Sequence, residues 1–132
     1  MLKNKARTYL FSNSIAPAIV GASLEAYKLL GESQELVNNL KRNTKIFRSE
    51  MKGAGFKISG HDESPIAPVW LGDARIATKM SEIMMQKHNI FVIGFSYPVV
   101  PKDQARIRVQ LSAAHTEEQV YQCIKGFKES AK

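Results

Sequence analysis

Apolar and charged side chains alternate along residues 105–111 of the chain. In a strand, successive side chains point to opposite faces, so one face is predicted to be apolar and to contact a core. That apolar face consists of Ile107, Val109 and Leu111. Arg106 and Arg108 alternate with these residues and are predicted to stand on the opposite face. The pattern therefore predicts a strand with two arginines on its polar side.

Four other stretches space their apolar residues three or four positions apart, which is typical of amphipathic helices. The first begins near Pro17, which a helix tolerates in its first turn. The second ends at the glycine-rich residues 53–55. Asp73 is placed to cap the third helix, and Thr116 with Gln119 forms a capping-box pattern at the start of the fourth.

Two further strands are predicted at residues 64–72 and 90–95, with a candidate short strand at 56–59. Pro68 indicates that the first of them is an edge strand or irregular, because proline cannot donate a ladder hydrogen bond. Residues 1–16 show no helical spacing and are predicted to form an extended lead-in. The order of elements predicts an α+β fold (an α/β layer). It consists of a small, mostly antiparallel sheet covered on one face by the four helices, with the arginine face left open.

The composition is that of a folded globular domain, with 132 residues, of which 44% are hydrophobic and 23% charged. No apolar run approaches the roughly 18 residues of a membrane span, and neither a membrane partner nor a signal peptide is expected. The one cysteine, Cys123, cannot form an internal disulfide, which favours a cytoplasmic location. Because Cys123 lies on the apolar stripe of its helix, a core position is favoured over a nucleophile.

The formal net charge of +7 allows an anionic partner but does not require one. Lys41, Lys45, Arg48 and Lys52 form a single helical stripe. A solvated face is favoured for this basic stripe, with an anion-binding site as the alternative. No metal site is predicted, because the three histidines lie far apart and lack ligand spacing.

The two arginines of the predicted strand are the best candidates for chemistry that the residues themselves offer. A guanidinium binds a carboxylate or a phosphate through two parallel hydrogen bonds. Arg106 and Arg108 on an uncovered face suit such a ligand, although spacing alone favours plain solvent-exposed cations. No glycine-rich nucleotide motif is present, so the residues by themselves specify no reaction.

Three stretches together resemble a known family. They are residues 9–18 (YLFSNSIAPA), 64–73 (SPIAPVWLGD) and 94–119 (GFSYPVVPKDQARIRVQLSAAHTEEQ). In this order they resemble the C-terminal part of the glycine C-acetyltransferases, also called 2-amino-3-ketobutyrate coenzyme A ligases. That group belongs to the α-oxoamine synthases, which are fold-type I pyridoxal-phosphate (PLP) enzymes. The third stretch differs from 5-aminolevulinate synthase and 8-amino-7-oxononanoate synthase, which favours the acetyltransferase branch.

The resemblance implies a reaction and a cofactor. Family enzymes condense glycine with acetyl-CoA to 2-amino-3-oxobutyrate, and the reverse reaction serves threonine breakdown, with PLP carrying the chemistry. Arg108 matches the arginine that grips the amino-acid carboxylate, whereas the family gives Arg106 no comparable role. Ser12 and Asn13 match a segment that reaches the cofactor phosphate of the partner subunit in a homodimer. A turn that begins the following helix is the alternative for these two residues.

The resemblance also implies that the chain is a C-terminal portion of a longer enzyme. The family's Schiff-base lysine, its aspartate at the pyridine nitrogen and its ring-stacking histidine all lie upstream, and the chain has none of those motifs. Residues 1–13 are then a lead-in from a large domain, and residues 14–132 are the small domain, including a linking helix at 14–31. The isolated chain contains no catalytic residue in this interpretation and is expected to be inactive.

Two alternatives of other classes remain open. One is a stand-alone basic α+β module that binds nucleic acid on the open sheet face. The other is a non-catalytic remnant that only dimerises. Nucleic acid is not expected as a partner, because sheet-based RNA binders stack bases on aromatic side chains and this face lacks aromatics. The run on that face is Arg106, Arg108, Gln110 and Ser112.

Overall fold

A computed structural model of the chain describes residues 1–7 and 12–131. The chain divides into two compact units, Met1–Gln34 and Glu35–Lys132. The first unit contains helix α1 (Leu2–Lys5) and helix α2 (Pro17–Glu32). The division does not test the predicted domain boundary at residues 13 and 14, which stays a prediction.

The predicted extended lead-in is wrong at its start, because Leu2–Lys5 is one turn of helix. The backbone N–H of Asn4 donates a hydrogen bond of 3.2 Å to the carbonyl of Met1, which closes that turn. Residues 8–11 lie outside the described residues, so the prediction is not tested there. Pro17 stands in the first turn of α2, as predicted, where its missing N–H and fixed φ are tolerated.

Helix α2 buries none of its residues, all of which the structure describes. Its large apolar side chains are Ile19, Val20, Leu24, Tyr27, Leu29 and Leu30, and each is at least 40% exposed. At 100° per residue these positions spread around much of the helix and do not form one narrow stripe. Because α2 and the sheet belong to different units, the expectation that α2 also covers the sheet stays a prediction.

The second unit confirms the α+β prediction. Its elements are α3 (Glu35–Gly53), β1 (Ile66–Gly72), α4 (Ala74–His88), β2 (Ile93–Phe95), β3 (Ala105–Gln110) and α5 (Glu117–Ser130). In the described part of the chain, the three strands form one antiparallel sheet in the order β1-β3-β2. β3 is thus the central strand, and β1 lies at an edge.

Pro68 is accommodated because its strand is at that edge, as predicted. The carbonyl of Pro68 accepts a hydrogen bond of 3.1 Å from the N–H of Ser59, on the side away from β3. The candidate strand at residues 56–59 is no more than an isolated bridge between Ile58 and Val69. This segment covers the outer edge of β1 without extending the sheet.

The second predicted strand, at residues 90–95, is shorter than expected because its first residues end helix α4. Asn89 adopts the left-handed conformation, with φ of 55°, and forms the C-cap. The N–H of Ile90 then donates to the carbonyl of Met84 at 3.0 Å. Pairing with β3 begins only at Ile93.

Helix starts follow the sequence prediction closely. The carboxylate of Asp73 accepts a hydrogen bond of 2.6 Å from the N–H of Arg75. Thr116 and Gln119 form the predicted capping box, in which the side chain of each accepts from the backbone N–H of the other, at 3.2 and 3.0 Å.

The core lies between one face of the sheet and helices α3, α4 and α5. Its largest fully buried side chains include Phe47, Met51, Met84, Ile107 and Phe127. The Phe47 and Phe127 rings meet edge to face, with centroids 6.3 Å apart. This packing leaves the opposite face of the sheet free of helices from the second unit. Across residues 1–7 and 12–131, every helix falls short of the length and apolar character that a membrane crossing requires.

Candidate functional site

The sheet face turned away from the core is the candidate site. Ile107 and Val109 are buried on the core side of β3, whereas Arg108 and Gln110 are exposed and Arg106 is half-buried. The predicted alternation of this strand is confirmed. The outer sheet face, as defined here, carries the side chains of Ile66, Pro68, Trp70, Ile93, Phe95, Arg106, Arg108 and Gln110.

Strand register decides which side chains flank each arginine. Arg108 lies opposite Pro68 on β1 and Ile93 on β2. Arg106 lies opposite Trp70 and Phe95. The statement that this face lacks aromatics is therefore true of β3 but wrong for the sheet, because the neighbouring strands supply the aromatic residues.

The guanidinium of Arg108 lies beside an aromatic ring. Its central carbon, Cζ, lies 4.7 Å from the centroid of the Phe95 ring. Among the described residues, no carboxylate lies within ion-pair distance of Arg108, and no hydrogen bond engages its side chain. The positive charge therefore stands exposed beside an aromatic ring, with its N–H donors available to a ligand.

Arg106 differs from its neighbour. It is half-buried, and its Nε atom is shielded from solvent without a hydrogen-bond partner in the described part of the chain. With Trp70 and Phe95 opposite it on the two neighbouring strands, its side chain is less accessible than that of Arg108. The geometry thus separates two arginines that the alternation alone treats as equivalent.

A cleft of about 560 Å³ adjoins Arg108. Ile93, Val109 and Cys123 of α5 are among the residues that line it. Burial raises the pKa of the Cys123 thiol to about 12. The thiol stays neutral at physiological pH, which agrees with the predicted core cysteine and argues against a nucleophile.

Ser12 and Asn13 belong to the first unit, whereas Arg108 belongs to the second, and each site is described within its own unit. Both residues are exposed and precede α2, and Asn13 has a left-handed φ of 49°. Within the described ranges, neither side chain makes a hydrogen bond, so their donors fit an anionic group such as a phosphate. Residues 9–11, which begin the resembling stretch, lie outside the described residues.

The basic stripe on α3 is not a uniform solvated face. Arg48 is 3% exposed and donates hydrogen bonds to the backbone carbonyls of Ser59, Ser64 and Ile66, so the interpretation as a solvated residue is wrong for it. Nζ of Lys52 lies 2.7 Å from a carboxylate oxygen of Asp62. This hydrogen bond and charge lower the pKa of Asp62 below its ordinary value. Only Lys41 and Lys45 of the stripe are exposed without an ion pair to another described residue.

Asn43 is a positioning residue that sequence reasoning missed. Its Nδ2 donates to the carbonyls of Ser112 and His115, at 3.2 and 2.8 Å, and so fixes the turn after β3. Nδ1 of His115 accepts a hydrogen bond from the N–H of Ser112 in the same turn. The signal available in the sequence was a polar residue between Leu40 and Phe47 on the apolar side of α3.

Over the described residues, no group of three or more His, Cys, Asp or Glu could hold a metal ion.

Known proteins are similar to this chain in sequence. A family model for class I and II aminotransferases matches residues 1–127. The mitochondrial 2-amino-3-ketobutyrate coenzyme A ligase of Mus musculus is 52% identical over 98% of this chain and 30% of its own length. The 2-amino-3-ketobutyrate coenzyme A ligase of Escherichia coli is 49% identical over 96% of this chain and 31% of its own length. The chain therefore spans about 30% of the length of the curated relatives it matches.

Solved structures support the fold. The 8-amino-7-oxononanoate synthase of Francisella tularensis aligns with a TM-score of 0.77 and 25% identity, over 98% of this chain and 37% of that one. A serine palmitoyltransferase from S. paucimobilis with a bound PLP–myriocin aldimine aligns with a TM-score of 0.81 and 23% identity, over 95% of this chain and 31% of that one. At 23% identity, the match to the serine palmitoyltransferase indicates a shared fold and nothing about function.

Proposed function

The chain belongs to the family of class I and II aminotransferases, and from that premise we propose that it is the small C-terminal domain of a PLP-dependent acyltransferase. The proposed reaction condenses glycine with acetyl-CoA to 2-amino-3-oxobutyrate. Identity of 49–54% to 2-amino-3-ketobutyrate coenzyme A ligases supports this choice of reaction. Residues 14–132 then form the small domain, and residues 1–13 lead in from the large one.

The observation that carries the proposal is the exposed guanidinium of Arg108 on the outer sheet face, which forms no ion pair with any residue that the structure describes. Two parallel N–H donors match the two oxygens of a carboxylate, and the charge is complementary. Arg108 is therefore the proposed anchor of the glycine carboxylate. By fixing one end of glycine, it holds the substrate's methylene carbon in one orientation for loss of a proton.

PLP is the proposed cofactor of the whole enzyme. When bound, it withdraws electrons from the substrate's methylene carbon and so stabilises the negative charge that forms there. The hydroxyl of Ser12 and the amide of Asn13 are proposed to hold its phosphate across a homodimer interface. Arg106 is given no role in binding, in agreement with its half-buried side chain.

The isolated chain is proposed to be inactive, because the resemblance assigns the Schiff-base lysine to the large domain. Glycine, acetyl-CoA and a second copy of the chain are the proposed partners of the longer enzyme. A cytoplasmic location is also proposed, on the single unpaired cysteine, although the Mus musculus relative is named as mitochondrial. The outer sheet face carries aromatic residues on β1 and β2, but a nucleic-acid-binding module is not proposed. The aminotransferase family model already matches residues 1–127.

The test is steady-state kinetics of the full-length enzyme. Arg108→Ala is expected to raise the KM for glycine and to lower kcat/KM, since losing a charged contact of this kind costs roughly 2–5 kcal/mol. Gln86→Ala, an exposed change on α4 away from the outer sheet face, is the control and should leave the glycine KM within about twofold. Unchanged glycine kinetics in Arg108→Ala would refute the carboxylate role. An open reading frame that lacks a Schiff-base lysine upstream of residue 1 would refute the enzyme itself.

A further inference from the structure

We infer that Phe95 is a positioning residue, which holds the Arg108 guanidinium in the orientation that binds the substrate carboxylate. The inference rests on the proposed role of Arg108 and assigns a second residue to the same site. Nothing in the sequence of β3 points to Phe95, because the two residues lie on different strands.

The register of β2 and β3 brings the two side chains together diagonally. Ile93 pairs with Arg108 and Phe95 pairs with Arg106, so Phe95 is two residues from the position directly opposite Arg108. Diagonal neighbours on one face of a sheet are about 7–8 Å apart at Cα, a span that an aromatic ring and a long side chain close. The distance of 4.7 Å between Arg108 Cζ and the Phe95 centroid is a cation–π contact.

An aromatic ring restrains a guanidinium differently from a carboxylate. A guanidinium stacked on a ring contacts it through its flat face, and its N–H donors, which lie in the plane, point outward. A carboxylate partner would occupy those donors and cancel the charge. Phe95 therefore limits the conformations of Arg108 while both its charge and its donors remain available to a ligand.

Orientation matters here because Arg108 is exposed and makes no hydrogen bond with any other described residue. A free arginine side chain loses rotamer entropy when it is fixed. A side chain that already rests on a ring loses less on binding, which tightens ground-state binding of glycine. Phe95 should thus affect the KM for glycine more than kcat.

The experiment compares Phe95→Leu, Phe95→Tyr and Phe91→Leu in the full-length enzyme. Phe91 is the matched control, since it is 72% exposed and no cation of the described chain lies over its ring. Phe95→Leu is expected to raise the glycine KM by about two- to fivefold, the size of an exposed cation–π contact. kcat and the KM for acetyl-CoA should change by less than about twofold. Phe95→Tyr keeps the ring and should restore the parent value, and Phe91→Leu should match the parent.

A double-mutant cycle then asks whether Phe95 acts through Arg108. In the Arg108→Ala background, Phe95→Leu should cause no further loss of kcat/KM for glycine. This ratio stays measurable as the slope of rate against glycine concentration, which is linear below a raised KM. A further two- to fivefold loss there, or no rise of KM in Phe95→Leu alone, would overturn the inference. Failure of Arg108→Ala to impair glycine kinetics would instead refute the proposed carboxylate anchor, so the two failures are distinguishable.

Discussion

Nη2 of Arg48 donates a hydrogen bond of 2.8 Å to the carbonyl oxygen of Ile66, the first residue of β1. The same guanidinium donates from Nε to Ser64 at 3.1 Å and from Nη1 to Ser59 at 3.3 Å. One buried arginine of α3 therefore holds both ends of the loop at residues 59–66, which leads into the sheet. Backbone carbonyls satisfy these donors, and the Asp62 carboxylate lies 3.9 Å from Nη1, so the charge contributes to the fold instead of to ligand binding.

Replacing this arginine should destabilise the chain strongly. Arg48→Met leaves three carbonyls without their charged donor, and the expected loss in the free energy of unfolding is about 2–3 kcal/mol. Urea unfolding followed by the fluorescence of Trp70, the single tryptophan, measures it. Lys45→Met, an exposed change on the same helix, should stay within about 0.5 kcal/mol of the parent. Equal effects of the two changes would contradict the structural role of Arg48.

Gly94 should not tolerate a side chain. A Cβ at this position would lie 3.3 Å from the backbone carbonyl carbon and oxygen of Ala77, and backbone atoms of a packed helix cannot move aside cheaply. Gly94→Ala is expected to cost about 1–3 kcal/mol, because β2 must shift away from α4. Gly53→Ala is the control, since a Cβ there meets nothing within 4 Å. A control as destabilised as Gly94→Ala would show that the close approach is not the cause.

The buried thiol makes stability depend on alkaline pH. The pKa of Cys123 in the folded chain is about 12, above its ordinary value of 9.0. The unfolded chain ionises first, so the stability that comes from the neutral thiol is complete below pH 9 and declines as pH rises from 9 towards 12. The free energy of unfolding should fall over this range in the parent and fall less in Cys123→Ala. Parallel profiles for the two proteins would contradict the raised pKa.

The sequence alone predicted the features that depend only on residues close together along the chain. The alternation in β3 and the capping box at Thr116 need only residues within one element, and both are confirmed. The burial of Arg48 could not be predicted in the same way. Helical spacing says which side chains share a stripe, but the loop that folds over that stripe comes from a distant segment, residues 59–66.

The candidate site shows the same division. Alternation places Arg108 on the outer face, yet the aromatic partners of the two arginines come from β1 and β2 and depend on strand register. The register itself depends on where pairing begins, and β2 starts late because Asn89 and Ile90 complete the cap of α4. Sequence reasoning could therefore find the cation but not the ring that contacts it.

The turn after β3 should depend on the amide of Asn43, which is 1% exposed. In Asn43→Asp, carboxylate oxygens replace the Nδ2 that donates to Ser112 and His115, and they face two carbonyl oxygens. An ionised carboxylate cannot donate, so we expect a loss of about 3 kcal/mol or more at neutral pH. Burial and the two carbonyls raise the pKa of the introduced carboxyl above about 3.9, so the penalty relative to the parent should shrink towards about pH 4, where the protonated acid can donate one hydrogen bond.

Urea unfolding of the parent and of Asn43→Asp at both pH values measures this penalty. Asn38→Asp makes the same chemical change at an exposed position of α3 and should cost less than about 0.5 kcal/mol at either pH. A penalty for Asn43→Asp that does not change with pH would mean that lost packing, and not the reversed hydrogen bonds, causes it. Because the turn follows directly on the strand of Arg108, a pH-dependent penalty would identify Asn43 as the residue that anchors this end of the outer sheet face to the helical layer.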